Sequence, residues 1–400
     1  MRLMSWYGDD FTGSTDALEA LAPHMSAVLF LRQPDKAVFQ QFAGYAAFGL
    51  AGVSRSETPE WMDANLPMAF EWLKNLGAKL CHYKVCSTFD SSPTVGSIGR
   101  AMEIGKRIFG GTLVPIVVGA PSLRRYTFFG NLFAAAADGQ IYRIDRHPTM
   151  MNHPVTPMRE ADLRLHLKSQ TDLRVGLLGS SQPLDAVLID VMDDATLRRA
   201  GQILWDADRQ PFVVGSSGVE YALIAHWGHQ KQEPSTPPAV DRVVVLSGSC
   251  SPGTARQIDY AGAHGFGLVP IAADDDGSAG AALKVLANGS RGVVIHTPRE
   301  RNENFGPTER RRLSERAGRI LDRVLNESGV RRVVIAGGDT SSHAGQQLGI
   351  DALTFIAHLA PGAPLCKAWS RSPHRQGLEI VFKGGQCGQD DFFEVARGKN

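Results

Sequence analysis

Long apolar runs are missing: nowhere in the 400 residues is there a stretch of about 18 that would span a bilayer. The opening Met1-Arg2-Leu3-Met4-Ser5-Trp6 also lacks the apolar core and small-residue cleavage site of a signal peptide, so a cytoplasmic location is expected, with no membrane partner. An excess of either charge is missing too. The 42 basic and 41 acidic residues nearly cancel and form no long run, which argues against nucleic acid as a partner and leaves a small molecule. Cysteine is scarce, five at irregular positions, which suits a reducing compartment better than a disulfide framework. Cys81 and Cys86 are the one tempting pair; if Lys79–Val85 is a strand, alternation sends them to opposite faces, and neither a bridge nor a shared metal is expected.

Familiar signatures are absent as well. There is no Walker A pattern, no intact G-x-G-x-x-G, no H-E-x-x-H and no G-x-S-x-G; Gly215-Ser216-Ser217-Gly218-Val219 lacks the final glycine. His147, His153, His343 and His374 are scattered, which suits packing or capping better than metal binding.

What is present is an alternation of short Val/Ile-rich runs with longer amphipathic segments, the pattern of a largely parallel sheet covered by helices. Strands are expected at 3–7, 26–31, 45–50, 79–85, 114–118, 187–191 and 211–214, with helices at 59–76 and 95–109. A polar, Pro-rich stretch interrupts the pattern after His226, because its three prolines forbid a regular helix or central strand. Strands then follow at 242–246, 268–271, 292–295, 332–335 and 378–382, with a basic helix over 308–326. The fold expected is α/β with two domains, each a mainly parallel sheet covered by helices: 1–228, a linker over 229–240, and 241–400.

In such sheets ligands bind beyond the carboxyl ends of the strands, and the loops there are unusually polar. Tyr7-Gly8-Asp9-Asp10-Phe11-Thr12-Gly13-Ser14 offers paired carboxylates for a substrate hydroxyl or a magnesium ion; the bland alternative is a helix N-cap. Lys84-Val85-Cys86-Ser87-Thr88 sets a lysine beside hydroxyls, suited to a carboxylate or polyol ligand, or else to a solvated turn. Arg55 offers a guanidinium, weak evidence alone because most single arginines are only solvated. Three loops of the back half suit phosphate: Ser247-Gly248-Ser249-Cys250-Ser251, Gly337-Gly338-Asp339-Thr340-Ser341 and Lys383-Gly384-Gly385. Glycines permit close backbone approach, helix N-termini point amides at an anion, and Asp339 is a candidate magnesium ligand.

These motifs, with Gly119-Ala120-Pro121 through Arg125-Tyr126-Thr127, His153 through Met158, and Asp391-Phe392-Phe393, occur in an order that resembles the four-carbon acid sugar kinases along almost the whole chain. The resemblance implies an N-terminal acid-sugar domain with substrate contacts at Asp9, Asp10, Arg55, Lys84, Cys86, Ser87 and Thr88. It implies a C-terminal ATP domain with contacts at Ser249, Gly337, Gly338, Asp339, Thr340 and Gly384 and an active site in the interdomain cleft; Ser247 and Gly385, in the same glycine-bearing turns, complete the nucleotide candidates. One departure matters: Cys86 stands where many members carry an aspartate, and Phe89-Asp90-Ser91-Ser92 follows, which is similar to a branch acting on 3-oxo-isoapionate. The mechanism implied is phosphoryl transfer from ATP with Mg2+, with Arg55 and Lys84 on the substrate carboxylate, Asp10 or Asp9 on the acceptor hydroxyl, and Asp339 on the metal. Erythronate, threonate or a 3-oxo-tetronate are the alternative substrates. Outside this class stand a non-catalytic sugar-acid sensor and a dehydrogenase, the latter disfavoured by the missing dinucleotide fingerprint. The oligomeric state stays open, a homodimer included.

Overall fold

The structure is a computed structural model describing residues 1–111, 113–136, 138–153, 155–207, 210–228, 237–272, 275–297 and 307–398. The chain forms two compact units: Met1–Asp9, Ala20–Ala27 and Gly44–Gln232 make one, and Asp10–Glu19, Val28–Ala43 and Glu233–Asn400 make the other. No helix among the described residues is long and apolar enough to cross a membrane.

In the first unit seven strands form a parallel sheet in the order Ala47–Ala51, Met4–Gly8, Leu80–Lys84, Phe212–Gly215, Val114–Val117, Ala186–Leu188 and Val175–Leu177. Strand Met4–Gly8, paired on both sides, is buried along its length, Trp6 completely, as expected of a strand covered on both faces. Helix Pro59–Asn75 starts where Thr58 caps it and Pro59 takes a position whose N–H needs no partner. Helix Ile98–Phe109 starts at Ser97, whose hydroxyl accepts from Arg100 N, three residues later than the sequence pattern placed it.

In the second unit five parallel strands run in the order Phe266–Pro270, Gly292–His296, Val243–Ser247, Arg332–Ala336 and Glu379–Lys383. The antiparallel hairpin Ala352–Ala360/Ala363–Trp369 extends this sheet, and Phe30 and Leu29 pair with its first strand. Two pieces of the front half belong to this unit for a packing reason. Phe11 sets its ring edge-on to Phe382 at 5.4 Å, the Glu19 carboxylate accepts from Gly362 N at 2.7 Å, and Phe42 packs edge-on against Trp369.

The strands expected from Val/Ile runs are all present with their ends within two residues of those expected, except that 187–191 is Ala186–Leu188 and stops three residues early. Three features had no such signal: the hairpin, the short edge strand Val175–Leu177, and a three-stranded antiparallel sheet of Arg125–Phe128, Asn131–Ala135 and Ile141–Arg143. None of them is a Val/Ile run: Arg125–Phe128, Ile141–Arg143 and the first hairpin strand carry their strand propensity in aromatic residues and Thr, and Val175–Leu177 is only three residues long. One expectation is corrected: the strand ends at Lys84, so Cys86 lies in the following turn and its direction is not set by strand alternation. All five cysteines are free.

Gly201, on helix Asp194–Trp205, lies against helix Gly218–Trp227, and a Cβ there would sit 1.9 Å from the carbonyl oxygen of Ala222. Replacing an interior helical glycine by alanine normally gains up to about 1 kcal/mol. Here the obstacle is backbone, so Gly201→Ala is expected to lose about 1–3 kcal/mol net, read from the urea midpoint; a gain in stability would refute the packing described.

Candidate active site

In the second unit the strand order places the ends of Val243–Ser247, Arg332–Ala336 and Glu379–Lys383 side by side, and hydrogen bonds join the turns that follow. Gly248 N donates to Ala336 O at 3.0 Å and Gly337 N to Lys383 O at 2.8 Å. The hydroxyls of Ser251 and Thr254 both donate to Gly385 O, the second at 2.7 Å. Glycine is required at this meeting point. Gly337 has φ +115°, a Cβ on Gly248 would lie 1.9 Å from Thr340 Oγ1, and one on Gly385 would lie 2.6 Å from Ser249 Oγ. Helices Pro252–Ala263 and Gly338–Gln347 start from two of the three turns, so unpaired amides and the positive ends of two helix dipoles gather there. Such a cradle suits an anion.

Ser247, Ser249, Gly337, Gly338, Thr340, Gly384 and Gly385 are thus brought together. Asp339 begins the helix after Gly338, and its side chain lies outside the described ones. Asp10 joins the group from the other end of the chain, since a Cβ built on Gly338 would lie 3.4 Å from its Oδ2. The bland reading of Asp10 also holds: its Oδ1 accepts from Gly13 N at 2.5 Å, capping helix Phe11–Leu21, while Phe11 N donates to Ser342 Oγ. Lys383 is a basic residue of this site that sequence reasoning noted but did not select. It is fully buried, and its ammonium donates to Thr254 Oγ1 at 3.2 Å and Gly384 O at 3.0 Å. Burial pushes it down to about 8, with neighbouring Cys387 working the other way.

In the first unit three strand ends meet in the same manner. Asp9 N donates to Lys84 O at 2.9 Å and Arg55 N to Asp9 O at 3.0 Å, which gathers Asp9, Arg55 and Lys84. Asp9 and Lys84 are buried, and the lysine donates to Val85 O at 3.0 Å. Beneath them Tyr7 stacks on Tyr83, whose hydroxyl bonds Ser54 Oγ at 2.9 Å; burial raises both phenols and the Asp9 charge adds to it.

The group that sequence reasoning missed is Asp90. Its two oxygens lie 3.0 Å from Arg55 Nη2, and it accepts from Thr88 Oγ1 at 2.5 Å and from Thr156 Oγ1 at 3.0 Å. Burial works against this carboxylate, but the charges of Arg55 and His153 and the two hydroxyls outweigh it and hold it well below the usual range. Arg55, expected as a free substrate anchor, is therefore held by Asp90. Thr88 also lies 3.0 Å from the Cys86 thiol, with Ser87 half-buried between them in sequence. Phe89, buried with φ +56°, carries the turn in a region that side chains rarely occupy. Ser91 holds it there through His166 Nε2 and Gln170 Nε2, both at 2.9 Å. An acid two residues after Thr88 was visible in the sequence; its partner Thr156, 66 residues away, was not.

A family model described as a sugar-binding N-terminal domain matches residues 4–223, and one described as a nucleotide-binding C-terminal domain matches 244–393. The chain is 45% identical to a 3-oxo-isoapionate kinase of Paraburkholderia graminis, over 99% of this chain and 94% of that one. It is 28% identical to a 3-oxo-tetronate kinase of Pseudomonas fluorescens, over 99% and 97%, and 29% identical to one of Cupriavidus necator, over 98% and 96%. Crystal structures from Salmonella typhimurium (TM-score 0.76, 23% identity, 99% of both chains) and Haemophilus influenzae (TM-score 0.70, 24% identity, 98% and 99%) share the fold. With an anion cradle in the half that matches a nucleotide-binding domain, the chain is an ATP-dependent kinase of sugar acids. It belongs to the four-carbon acid sugar kinase family.

The depressed Asp90 carboxylate stabilises the fold above the ordinary unfolded value near 3.9, and that contribution is lost as pH falls through the folded value. Asp90→Asn is expected to cost on the order of 3 kcal/mol at neutral pH, the low end for a broken buried pair because Arg55 is one quarter exposed. Denaturant unfolding across pH should show the gap between the two proteins shrinking below pH ~4. A gap that is unchanged at acid pH would contradict this electrostatic account.

Proposed function

We propose that this enzyme transfers the γ-phosphoryl group of ATP to a hydroxyl of 3-oxo-isoapionate, giving 3-oxo-isoapionate 4-phosphate, in carbohydrate catabolism. The observation that carries the reading is the 45% identity to a kinase of that name across almost the whole chain, against 25–29% for the 3-oxo-tetronate kinases. The three glycine turns joined around one cradle support the nucleotide half of the reading. Residues 1–228 would carry the acid and 241–400 the nucleotide, joined by 229–240, of which 229–236 lie outside the described residues. The same reading places the enzyme in the cytoplasm, where ATP is available and free thiols persist.

Phosphoryl transfer asks a protein chiefly to align the acceptor and to neutralise charge on the transferring oxygens. Lys84 and Arg55 would anchor the substrate carboxylate, with Asp90 and Thr88 holding the guanidinium side of that pocket in place. The Cys86 and Ser87 side chains would face the substrate where a second charge is not wanted. Asp10 or Asp9 would orient the acceptor hydroxyl and take its proton. Magnesium fits as the companion of the nucleotide: among the described residues no group of three or more His, Cys, Asp or Glu could cage it, and this ion is commonly held by one or two carboxylates together with phosphates. Asp339 is the proposed protein ligand. Bound there, the ion would neutralise charge on the phosphates.

The substrate is tested by coupled ADP release with 3-oxo-isoapionate, 3-oxo-tetronates, erythronate and threonate, with product mass spectrometry. The expected result is the highest kcat/KM for 3-oxo-isoapionate; a preference for a 3-oxo-tetronate would overturn the substrate assignment. Asp10→Asn keeps the helix cap to Gly13 N, since asparagine caps as well as aspartate, and removes the charge and the acceptor for the Thr12 hydroxyl. It is expected to lower kcat by roughly 10²–10⁴ with little change in KM. Turnover at the wild-type rate would take Asp10 out of the base role and leave Asp9.

A further inference from the structure

The three turns Ser247–Thr254, Ala336–Ser342 and Lys383–Asp391 contain one lysine or arginine between them, Lys383. Backbone amides bring only partial charges to a triphosphate, so a full cation at this place is distinctive. Lys383 is fully buried, and among the described residues no carboxylate lies within ion-pair distance of it. Its ammonium has two hydrogen-bond partners, Thr254 Oγ1 and Gly384 O, for three donors, and lies 5.6 Å from the centre of the Phe392 ring. Taking an ammonium out of water without a counter-ion is costly, and two neutral acceptors and a ring face offset only part of the cost. A second group at the same strand ends is also left over: the hydroxyl of Ser247, buried, has no partner among the described residues.

We propose that Lys383 is the fixed cation of the nucleotide site, a positioning residue that ties the Gly384–Gly385 turn to the first turn of helix Pro252–Ala263 and supplies, from beneath the cradle, the positive charge that the phosphates complete. The inference rests on the reading of these turns as the nucleotide site. The ammonium shares Thr254 with the Gly385 carbonyl, so one hydroxyl links the cation to the turn that lies over it. Because the charge is buried, its field reaches an anion in the cradle with little screening by salt.

The test is calorimetry of ATP, ADP and AMP binding to the full chain as wild type, Lys383→Met and Lys383→Arg. Methionine fills similar volume without charge, and Lys383→Gln is read in the same way if the methionine variant does not fold. The expected result is a loss for ATP of roughly tenfold or more, a smaller loss for ADP, AMP affinity within about twofold, and partial recovery of ATP binding by arginine. A merely structural lysine would weaken all three nucleotides equally, so equal losses, or none, would overturn the proposal. Wild-type protein that binds none of the three would instead refute the nucleotide-site reading itself.

Discussion

Two backbone hydrogen bonds, Gly248 N to Ala336 O and Gly337 N to Lys383 O, tie together the ends of three neighbouring parallel strands, and the nucleotide half of this protein depends on them. They hold three turns so close that side chains have no room: Gly248 faces Thr340, Gly337 faces Ser249 and Gly385 faces Ser249 and Ser251. What lies against the glycines is the hydroxyl side chains of Thr340, Ser249 and Ser251, at the starts of two helices. The meeting point is therefore built from backbone and small hydroxyl side chains, with none of the usual nucleotide signatures in its sequence. A parallel sheet whose adjacent strands end in glycine turns reaches the same chemistry by a different local sequence.

The first unit follows the same rule with side chains in place of amides. The neighbouring ends of Ala47–Ala51, Met4–Gly8 and Leu80–Lys84 gather Asp9, Arg55 and Lys84, and a strained turn at Phe89 delivers Asp90 to the guanidinium. Backbone strain of this kind persists only where the surroundings over-determine it, and here His166, Gln170 and Ser91 do so. The loop that departs from the family pattern, with Cys86 where an acid is common, thus still holds a carboxylate, four residues further on and turned onto Arg55 rather than left free. The pairing leaves the guanidinium and the carboxylate side by side as one neutralised pair.

Much of this was legible in the residue pattern. The Val/Ile runs marked the parallel strands, because a strand buried on both faces must be apolar throughout; the polar residues after each run marked the turns that gather at the carboxyl ends, because parallel strands end on the same side of the sheet. The hairpin Ala352–Ala360/Ala363–Trp369 and the small sheet around Asn131–Ala135 were not legible, since none of their strands is a Val/Ile run. Asp10 shows a finer limit. Its neighbour Asp9 bonds within one unit through its main chain, whereas Asp10 caps a helix and approaches Gly338 in the other, a difference no local spacing encodes.

The sequence by itself determined the class of fold, the strands and the polar turns at their carboxyl ends, and the residue types available there, because burial and backbone conformational freedom are local properties of the chain. Only the tertiary structure decided which of those residues meet. The pairing of Arg55 with Asp90, the reach of Thr156 across 66 positions, the burial of Lys383 beneath a glycine turn and the return of Phe11 and Glu19 to the back half all follow from strand order. Strand order is a choice among long-range pairings, settled by the packing of the whole chain.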